Sequence, residues 1–456
     1  MLSRQGVQGT TTSDPEGHRQ NGQKKRVLGS SVPRTMKTQP AQLFNTVRGI
    51  MAADWVEISG GVTAPQGFQA AAVKAGLKPS GSLDLTLITS DVPAVAGGVF
   101  TTNIAKAACV TYNQRVLATG DPVRAIICNA GQANACTGAE GEADNLAVAA
   151  MVGQALGIPP QQVLVASTGV IGKRLELEKF ARAMPELVKS LSPTGGDLAA
   201  QGILTTDLVA KSVALETLIE GKPVRIGGIA KGSGMIHPNM ATMLAFVTCD
   251  AAVDPALWQN MTRKAADISF NQITVDGDTS TNDMLLTLAN GQSGVSVIHE
   301  DTPAALVLQE MLHAACGKLA MAIARDGEGA TKLIEVRVEG GETAQQARLI
   351  ARTIAGSALV KSAAYGNDPN WGRIVAAAGR AGVDFDLNRL DVYLGPFHLM
   401  QAGKPLAFDR TAASDYLKTQ DPVKIRLDLH QGFAVGVAWG CDLSYDYVRI
   451  NAEYTT

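Results

Sequence analysis

The sequence predicts an α/β protein in which helices and strands alternate and pack in layers. Residues 83–89 largely alternate apolar and polar side chains, which indicates a strand, whereas residues 255–268 have the apolar spacing of an amphipathic helix. The unbroken apolar run at residues 243–247 is typical of a strand covered on both faces. With 46% hydrophobic and 18% charged residues over 456 positions, the chain can bury the core that such layers require.

The first 50 residues differ in composition from the rest of the chain. Gly, Ser, Thr, Gln and basic residues dominate, no apolar period is present, and eight basic residues face only two acidic ones. This composition predicts a disordered tail. The segment lacks the apolar core of a secretory signal, and its basic composition resembles an organelle-targeting segment. The alternative is that the given sequence starts upstream of the true initiator, which is then Met36 or Met51.

Charge, hydropathy and cysteine usage exclude several classes of function. Forty basic residues against 42 acidic ones give a net charge of −2, without a dense basic run, so we expect no nucleic-acid partner. The apolar runs are shorter than the ~20 residues of a membrane span. The six cysteines form no C-x-x-C pair, and neither they nor the six histidines have metal-ligand spacing. We therefore expect no metal site and no membrane partner. The cysteines are expected to be reduced thiols, which is typical of a cytoplasmic protein. If the tail is a transit peptide, the compartment is an organelle matrix instead.

The first half of the chain reads as strands and helices in turn. Strands are predicted at 83–89, 97–101, 124–128 and 163–166, and helices at 144–156 and 175–191, the second broken or kinked near Pro185. Residues 167–172, Ser-Thr-Gly-Val-Ile-Gly, link a strand to a helix. Backbone N–H groups that open a helix can stabilise an oxyanion, although an ordinary turn has the same composition.

The second half continues the alternation. Strands are predicted at 208–215, 224–229 and 333–338, helices at 255–268, 303–324 and 343–355, and closing strands from Val423, with a strand pattern at 449–456. The polar loop 276–283 lacks the spaced carboxylates of a calcium loop, so we interpret it as a structural or substrate-side loop. Glu328, between two glycines, is either a solvated acid in a turn or a cation-binding carboxylate.

At mid-chain, a turn-rich loop runs directly into the apolar run, and Ala241-Thr242 is the junction. A threonine hydroxyl held in a strained loop can attack the preceding carbonyl, which converts the amide to an ester that water cleaves. The new terminal α-amino group, whose ordinary pKa is about 7.7–8.0, could then take the hydroxyl proton during nucleophilic attack. The alternative is a surface loop that merely enters a core strand.

Together these loops resemble the ornithine acetyltransferases, also called glutamate N-acetyltransferases, of the cyclic arginine pathway. The most specific match is residues 231–244, Lys-Gly-Ser-Gly-Met-Ile-His-Pro-Asn-Met-Ala-Thr-Met-Leu. Further matches follow the family order at 129–134, 167–172, 276–283, 326–332 and 366–373. The resemblance covers residues 55–456.

The resemblance implies self-cleavage between Ala241 and Thr242, which gives an α chain of residues 51–241 and a β chain of residues 242–456. It also implies a layered α-β-β-α-like fold of the N-terminal-nucleophile type with two αβ lobes, and an α2β2 heterotetramer. The implied site residues are Thr242 as nucleophile, Thr168 and Gly169 as oxyanion hole, Lys231 for a substrate carboxylate, Thr205 or the adjacent Thr206 beside it, and Glu328, Asn451 and Thr456 as further substrate contacts. Between the two threonines we choose Thr205.

The implied reaction moves an acetyl group from N2-acetylornithine to glutamate through an acetyl-threonine, in a ping-pong cycle. No cofactor is expected, although acetyl-CoA is a possible second donor. A self-processing amidohydrolase or aminopeptidase with the same nucleophile is the alternative enzyme. A non-catalytic amino-acid-binding protein, holding a zwitterion with Lys231 and Glu328, is the alternative from another class.

Overall fold

The computed structural model of the chain describes residues 55–237 and 243–453. The fold is α/β, as the sequence predicts, with two mixed sheets and helices packed against them. The strands are β1 (Val56–Glu57), β2 (Phe68–Val73), β3 (Leu85–Phe100), β4 (Val123–Gln132), β5 (Val163–Val170), β6 (Lys211–Ile219), β7 (Lys222–Lys231), β8 (Leu244–Cys249), β9 (Ile273–Thr274), β10 (Met284–Ala289), β11 (Leu333–Gly341), β12 (Asp391–Leu394), β13 (Phe397–Gln401), β14 (Lys404–Pro405), β15 (Val423–Asp428) and β16 (Ala434–Cys441).

The helices are α1 (Ala108–Ala118), α2 (Gly138–Leu156), α3 (Leu177–Lys189), α4 (Gly196–Gly202), α5 (Pro255–Ile268), α6 (Pro303–Arg325), α7 (Ala344–Ala355), α8 (Ala358–Tyr365), α9 (Trp371–Gly379), α10 (Arg410–Thr419) and α11 (Tyr445–Glu453). Helix α3 continues through Pro185, so of the two predicted alternatives a break is excluded, and a kink stays a prediction.

Three long helices begin directly after residues whose side chains cap the first helical turn. The Asp254 carboxylate accepts hydrogen bonds from the first N–H groups of α5, and the hydroxyls of Thr302 and Thr343 do the same for α6 and α7. Pro255 and Pro303 occupy the first turn of α5 and α6, where a missing N–H costs nothing. These signals explain why the predicted starts of the three helices agree with the structure to within one residue.

The larger sheet has the strand order β1-β6-β7-β8-β10-β3-β4-β5, and β2 also pairs with β3. Strand β8 is central and buried on both faces, as its apolar run predicts. Leu244 and Phe246 pack in one core cluster with residues of α1 to α4, whereas Ala245 and Val247 pack in a second cluster with α5 and α6. The alternation of side chains along β8 therefore separates two layers of helices.

The smaller sheet has the order β14-β13-β12-β15-β11-β16-β9. Its own apolar cluster includes Val336 and Val338 of β11 together with residues of α7, α9 and α10. The two sheets and their helices make two αβ lobes, and all of the described residues belong to a single unit, Met51–Thr456.

Helix α6 is long and apolar enough to cross a membrane by length and composition alone. However, Leu308, Leu312, Leu319 and Ile323 are almost completely buried in the second core cluster. The helix is thus a core element, and its apolar composition is explained by the sheet and helix that it contacts.

Two predicted strands differ from the structure. The pattern at 449–456 is wrong, because α11 occupies most of this segment, with an Asp446–Arg449 ion pair one helical turn apart. Strand β6 begins at Lys211 instead of Leu208, because the N–H groups of Leu208 and Val209 bond to the Asp326 carboxylate. The predicted tail, residues 1–50, lies outside the described residues.

Candidate functional site

Lys231, the last residue of β7, brings together three residues that the sequence predicts for the site. Its half-buried Nζ donates hydrogen bonds to the hydroxyls of Thr205, at 2.8 Å, and Thr168, at 3.3 Å. Thr168 comes from β5 and Thr205 from the segment before β6, so two separate stretches of chain converge on the ammonium group that β7 carries. Among the described residues, no carboxylate forms an ion pair with Lys231.

Thr168 and Gly169 lie at the end of β5, and the predicted helix opening at this position is wrong. Strand β5 runs through to Val170, and Thr168 and Gly169 pair with Ala130 and Gly131 of β4. A Cβ at position 169 would lie 2.4 Å from the carbonyl carbon of Gly131, and φ is +126°, so only glycine fits. The Gly169 N–H therefore belongs to the edge strand of the sheet and not to a helix opening, because β5 ends the sheet.

The two adjacent threonines have different partners. The Thr205 hydroxyl accepts from Lys231, whereas the Thr206 hydroxyl and the Ser233 hydroxyl lie 2.7 Å apart. Thr205 thus contacts the candidate carboxylate-binding lysine, and Thr206 contacts the loop that follows it. Of the two threonines, Thr205 is the one that bonds to Lys231, and its contact with substrate stays a prediction.

Next to this site lies a buried charge cluster, which we define as Lys211, Asp207 and Asp326. The Lys211 Nζ lies 2.7 Å from Asp207 Oδ1 and 2.6 Å from Asp326 Oδ2, and the three side chains are at most 6% exposed. The Asp207 carboxylate also accepts from the N–H of Gly232, at 2.6 Å, and from the N–H of Thr205, at 3.1 Å. The cluster therefore fixes the backbone on both sides of the Lys231–Thr205 contact.

The charge of Asp207 is maintained by its neighbours. Burial by itself would raise the pKa of this carboxyl, but the positive charges of Lys231 and Lys211 and the hydrogen bonds from Lys211 and Gly232 outweigh it, and the pKa falls to about 2. Asp207 is thus an anion at neutral pH, which the fold holds between two lysines.

Glu328 is buried, so the solvated alternative is excluded for this residue. Its Oε2 accepts a hydrogen bond of 2.9 Å from Asn451 Nδ2 of α11, and its backbone N–H donates to the Ser233 carbonyl at 2.8 Å. A Cβ at Gly234 would lie 2.4 Å from the Glu328 carboxylate. Glu328 and Asn451 therefore flank the same loop that leaves Lys231.

The loop 276–283 holds the far part of that segment. The Asp276 carboxylate accepts hydrogen bonds from the N–H groups of Met235, at 2.6 Å, and Ile236, at 2.9 Å, and burial raises the pKa of Asp276. This supports the structural interpretation of the loop. Among the described residues, no group of three His, Cys, Asp or Glu side chains could hold a metal ion.

The predicted residues Ala241, Thr242 and Thr456 lie outside the described residues. The sequence does not predict Lys211 and Asp326 as site residues, because these two partners lie 115 positions apart. Asp207 follows the two threonines directly, but nothing in the sequence indicates that its carboxylate holds Gly232.

Comparison with known proteins gives a consistent family. The ArgJ family model matches residues 69–456. The arginine biosynthesis bifunctional protein ArgJ of a Synechococcus strain is 60% identical over 415 residues, which cover 89% of this chain and all of the relative. The chloroplastic protein of the same name from Ricinus communis is 53% identical over 88% of this chain and 87% of its own. A crystal structure of ArgJ from Bacillus halodurans is 48% identical, covers 47% of this chain and all of its own, and gives a TM-score of 0.46.

Proposed function

The chain belongs to the ArgJ family, and from that premise we propose that it transfers the acetyl group of N2-acetylornithine to glutamate through an acetyl ester on Thr242. The chain is an enzyme, an acetyltransferase of arginine biosynthesis. The observation that carries the finer proposal is the half-buried ammonium group of Lys231, held by two threonine hydroxyls instead of a carboxylate.

Lys231 suits the feature that both substrates share. N2-acetylornithine and glutamate each carry an α-carboxylate, and an ammonium group with fixed neighbours binds such an anion by a charge-assisted hydrogen bond. Thr205 holds the ammonium in place from one side. Because Thr168 holds it from the other side, the bound carboxylate lies beside the proposed oxyanion hole.

Glu328 and Asn451 suit the feature in which the substrates differ. Acetylation neutralises the α-nitrogen of N2-acetylornithine, but its side-chain amine remains a cation, which the buried Glu328 carboxylate can bind. The Asn451 amide, already bonded to Glu328, offers a neutral polar partner for the side chain of glutamate. Thr456 remains a predicted substrate contact.

The proposed chemistry balances in two steps. The Thr242 hydroxyl attacks the acetyl carbonyl and gives its proton to its own α-amino group, and the oxyanion accepts hydrogen bonds from the Thr168 hydroxyl and the Gly169 N–H. Ornithine leaves as the amine after taking that proton. The amino group of glutamate then attacks the ester, and N-acetylglutamate leaves as the threonine hydroxyl is restored.

Self-cleavage at Ala241-Thr242 is compatible with a fold that stays together. Strand β7 ends at Lys231 and β8 begins at Leu244, and six residue pairs join the two strands. Chains of residues 51–241 and 242–456 would therefore remain neighbours in one sheet. We also propose an α2β2 assembly of these chains, as the family resemblance implies.

Two further points stay predictions. The relatives are named bifunctional, and we propose acetyl-CoA as the second acetyl donor, with no other cofactor. The relatives include cyanobacterial proteins and a chloroplastic protein. Cytoplasm is the compartment that we predict, with an organelle matrix as the alternative.

The test is an assay of the purified full chain with N2-acetylornithine and glutamate, with Thr242→Ala as control. We expect N-acetylglutamate and ornithine in equal amounts from the wild type, and neither product nor cleavage from the variant. Release of acetate without N-acetylglutamate would indicate the amidohydrolase. An uncleaved wild-type chain that binds but does not convert these amino acids would indicate the binding protein.

A further inference from the structure

Two buried asparagines take the place of a neighbouring strand along the open edge of β5. Asn113 of α1 accepts from the Val165 N–H at 2.9 Å and donates to the Val165 carbonyl at 2.8 Å. Asn282, from the loop before β10, donates from its Nδ2 to the Ser167 carbonyl at 2.8 Å. Both side chains are at most 5% exposed, so water does not compete for these carbonyls.

The next group in this row is the N–H of Gly169. Backbone groups of alternate residues in a strand point to the same edge. The Val170 carbonyl points towards β4, because it accepts from the N–H of Ala133, the residue that follows β4. The backbone groups of the alternate residues Val165, Ser167 and Gly169 therefore point to the open edge. Asn282 binds the edge group that directly precedes the Gly169 N–H, the proposed oxyanion donor.

Asn282 is itself held firmly. Its Nδ2 also donates to the Ala133 carbonyl at 2.5 Å, and its Oδ1 accepts from the Thr281 hydroxyl at 2.6 Å. The amide thus joins the ends of β4 and β5 to the start of β10. Loss of the amide would leave two buried carbonyls without a partner and free the end of β5 to move.

We propose that Asn282 is a positioning residue for the oxyanion hole, which keeps the Gly169 N–H and the Thr168 hydroxyl directed at the acetyl carbonyl. This inference rests on the proposed function. In this role Asn282 exchanges no proton, and it acts through the Ser167–Gly169 backbone. Because a donor that is misplaced by even about 1 Å can cost about 100-fold in rate, the role is measurable.

The test compares Asn282→Ala with Asn113→Ala. The second variant is a matched control, because it removes the buried amide that bonds to Val165, two residues before Ser167 in β5. For Asn282→Ala we expect kcat for acetyl transfer to fall about 10- to 100-fold, with KM unchanged. For Asn113→Ala we expect a similar loss of thermal stability, with kcat within about threefold of the wild type. A kcat loss in Asn113→Ala as large as that in Asn282→Ala would overturn the proposal, because both amides would then be merely structural.

A second readout is the carbonyl stretch of the acetyl ester, measured by isotope-edited infrared spectroscopy. Hydrogen bonds from an oxyanion hole lower this frequency, so Asn282→Ala should raise it and Asn113→Ala should leave it unchanged. An unchanged frequency and kcat in Asn282→Ala would also overturn the proposal. If Asn282→Ala does not fold, Thr281→Val decides, since loss of the Thr281 hydroxyl loosens the same amide. We expect smaller shifts in the same direction, and wild-type values would contradict the inference.

The wild-type chain is measured in parallel. Absence of an acetyl ester in the wild type would contradict the proposed function. A wild-type ester together with an unaffected Asn282→Ala variant would contradict only the role of Asn282.

Discussion

Two lysines on adjacent strands of the larger sheet have opposite environments. Lys211, at the start of β6, is buried between the carboxylates of Asp207 and Asp326. Lys231, at the end of β7, is half-buried and bonds to the hydroxyls of Thr168 and Thr205. Lys211 pairs with Ala230 across the two strands, so alternation turns the two lysine side chains to opposite faces of the sheet.

The difference between these environments indicates that Lys211 stabilises the fold and that Lys231 binds substrate. The positive charge of Lys211 is already compensated, so it has no capacity for a ligand, whereas Lys231 has no ion-pair partner among the described residues and can bind the carboxylate of a substrate. Asp207 connects the two, because it accepts from Lys211 and from the Gly232 N–H next to Lys231. Four predictions test this contrast.

The largest expected effect is on stability, from Lys211→Met. Removal of one member of a buried ion pair leaves uncompensated charge and costs about 3–5 kcal/mol. We expect urea unfolding to show a loss of this size, while Arg325→Met, which removes an exposed pair with Asp421, should cost less than about 1 kcal/mol. Equal losses in the two variants would contradict the structural role of Lys211.

Lys231→Met should affect binding more than stability. Loss of the ammonium removes a charge-assisted contact worth about 3 kcal/mol, so KM for both amino-acid substrates should rise about 100-fold. The melting temperature should fall less than in Lys211→Met, because Lys211 is the cation that bonds directly to Asp207. Lys222→Met, at the exposed start of the same strand, is the control and should leave KM unchanged. A stability loss without a change in KM would reverse our assignment of the two lysines.

The lowered pKa of Asp207 predicts a specific pH dependence of the unfolding free energy. Its pKa is lowered from 3.8 to about 2, so its charge stabilises the fold at pH values above about 4, and this stabilisation is lost as the pH falls towards 2. The shift corresponds to about 2 kcal/mol. We expect the unfolding free energy of the wild type to fall more steeply between pH 4 and pH 2 than that of Asp207→Asn. Parallel curves would show that Asp207 does not carry this dependence.

The smallest effect should distinguish the neighbouring threonines. Thr205→Val removes one hydrogen bond to Lys231, worth about 1 kcal/mol, so kcat/KM should fall about fivefold. Thr206→Val removes the contact with Ser233 and should change kcat/KM by less than about twofold, because that hydroxyl does not touch Lys231. The reverse order in steady-state assays would favour Thr206 as the substrate contact.

Part of the fold and of the candidate site is accessible from the sequence. The α/β class, the doubly covered strand β8 and the starts of α5 to α7 follow from apolar patterning and capping residues, which act over a few positions. The motif around Lys231 predicts it as a site residue. The structure adds that Lys231, Thr168 and Thr205 meet at hydrogen-bonding distance.

The remainder depends on contacts between distant positions. Lys211 and Asp326 are 115 residues apart, and Asn282 and Ser167 are also 115 residues apart, so no local pattern marks either pair. Residues 449–456 suggest a strand because polar and apolar side chains alternate at Arg449-Ile450-Asn451-Ala452, whereas in the structure α11 extends through Glu453. The end of β5 suggests a helix opening because Gly169 is typical of a turn, whereas its small size serves the close approach to Gly131.

Intact mass spectrometry of the wild-type chain after incubation with N2-acetylornithine tests the central claim most directly. We predict two chains, the second beginning at Thr242, with one acetyl group on that chain that disappears when glutamate is added. A single uncleaved chain, or cleaved chains that never carry an acetyl group, would contradict the account.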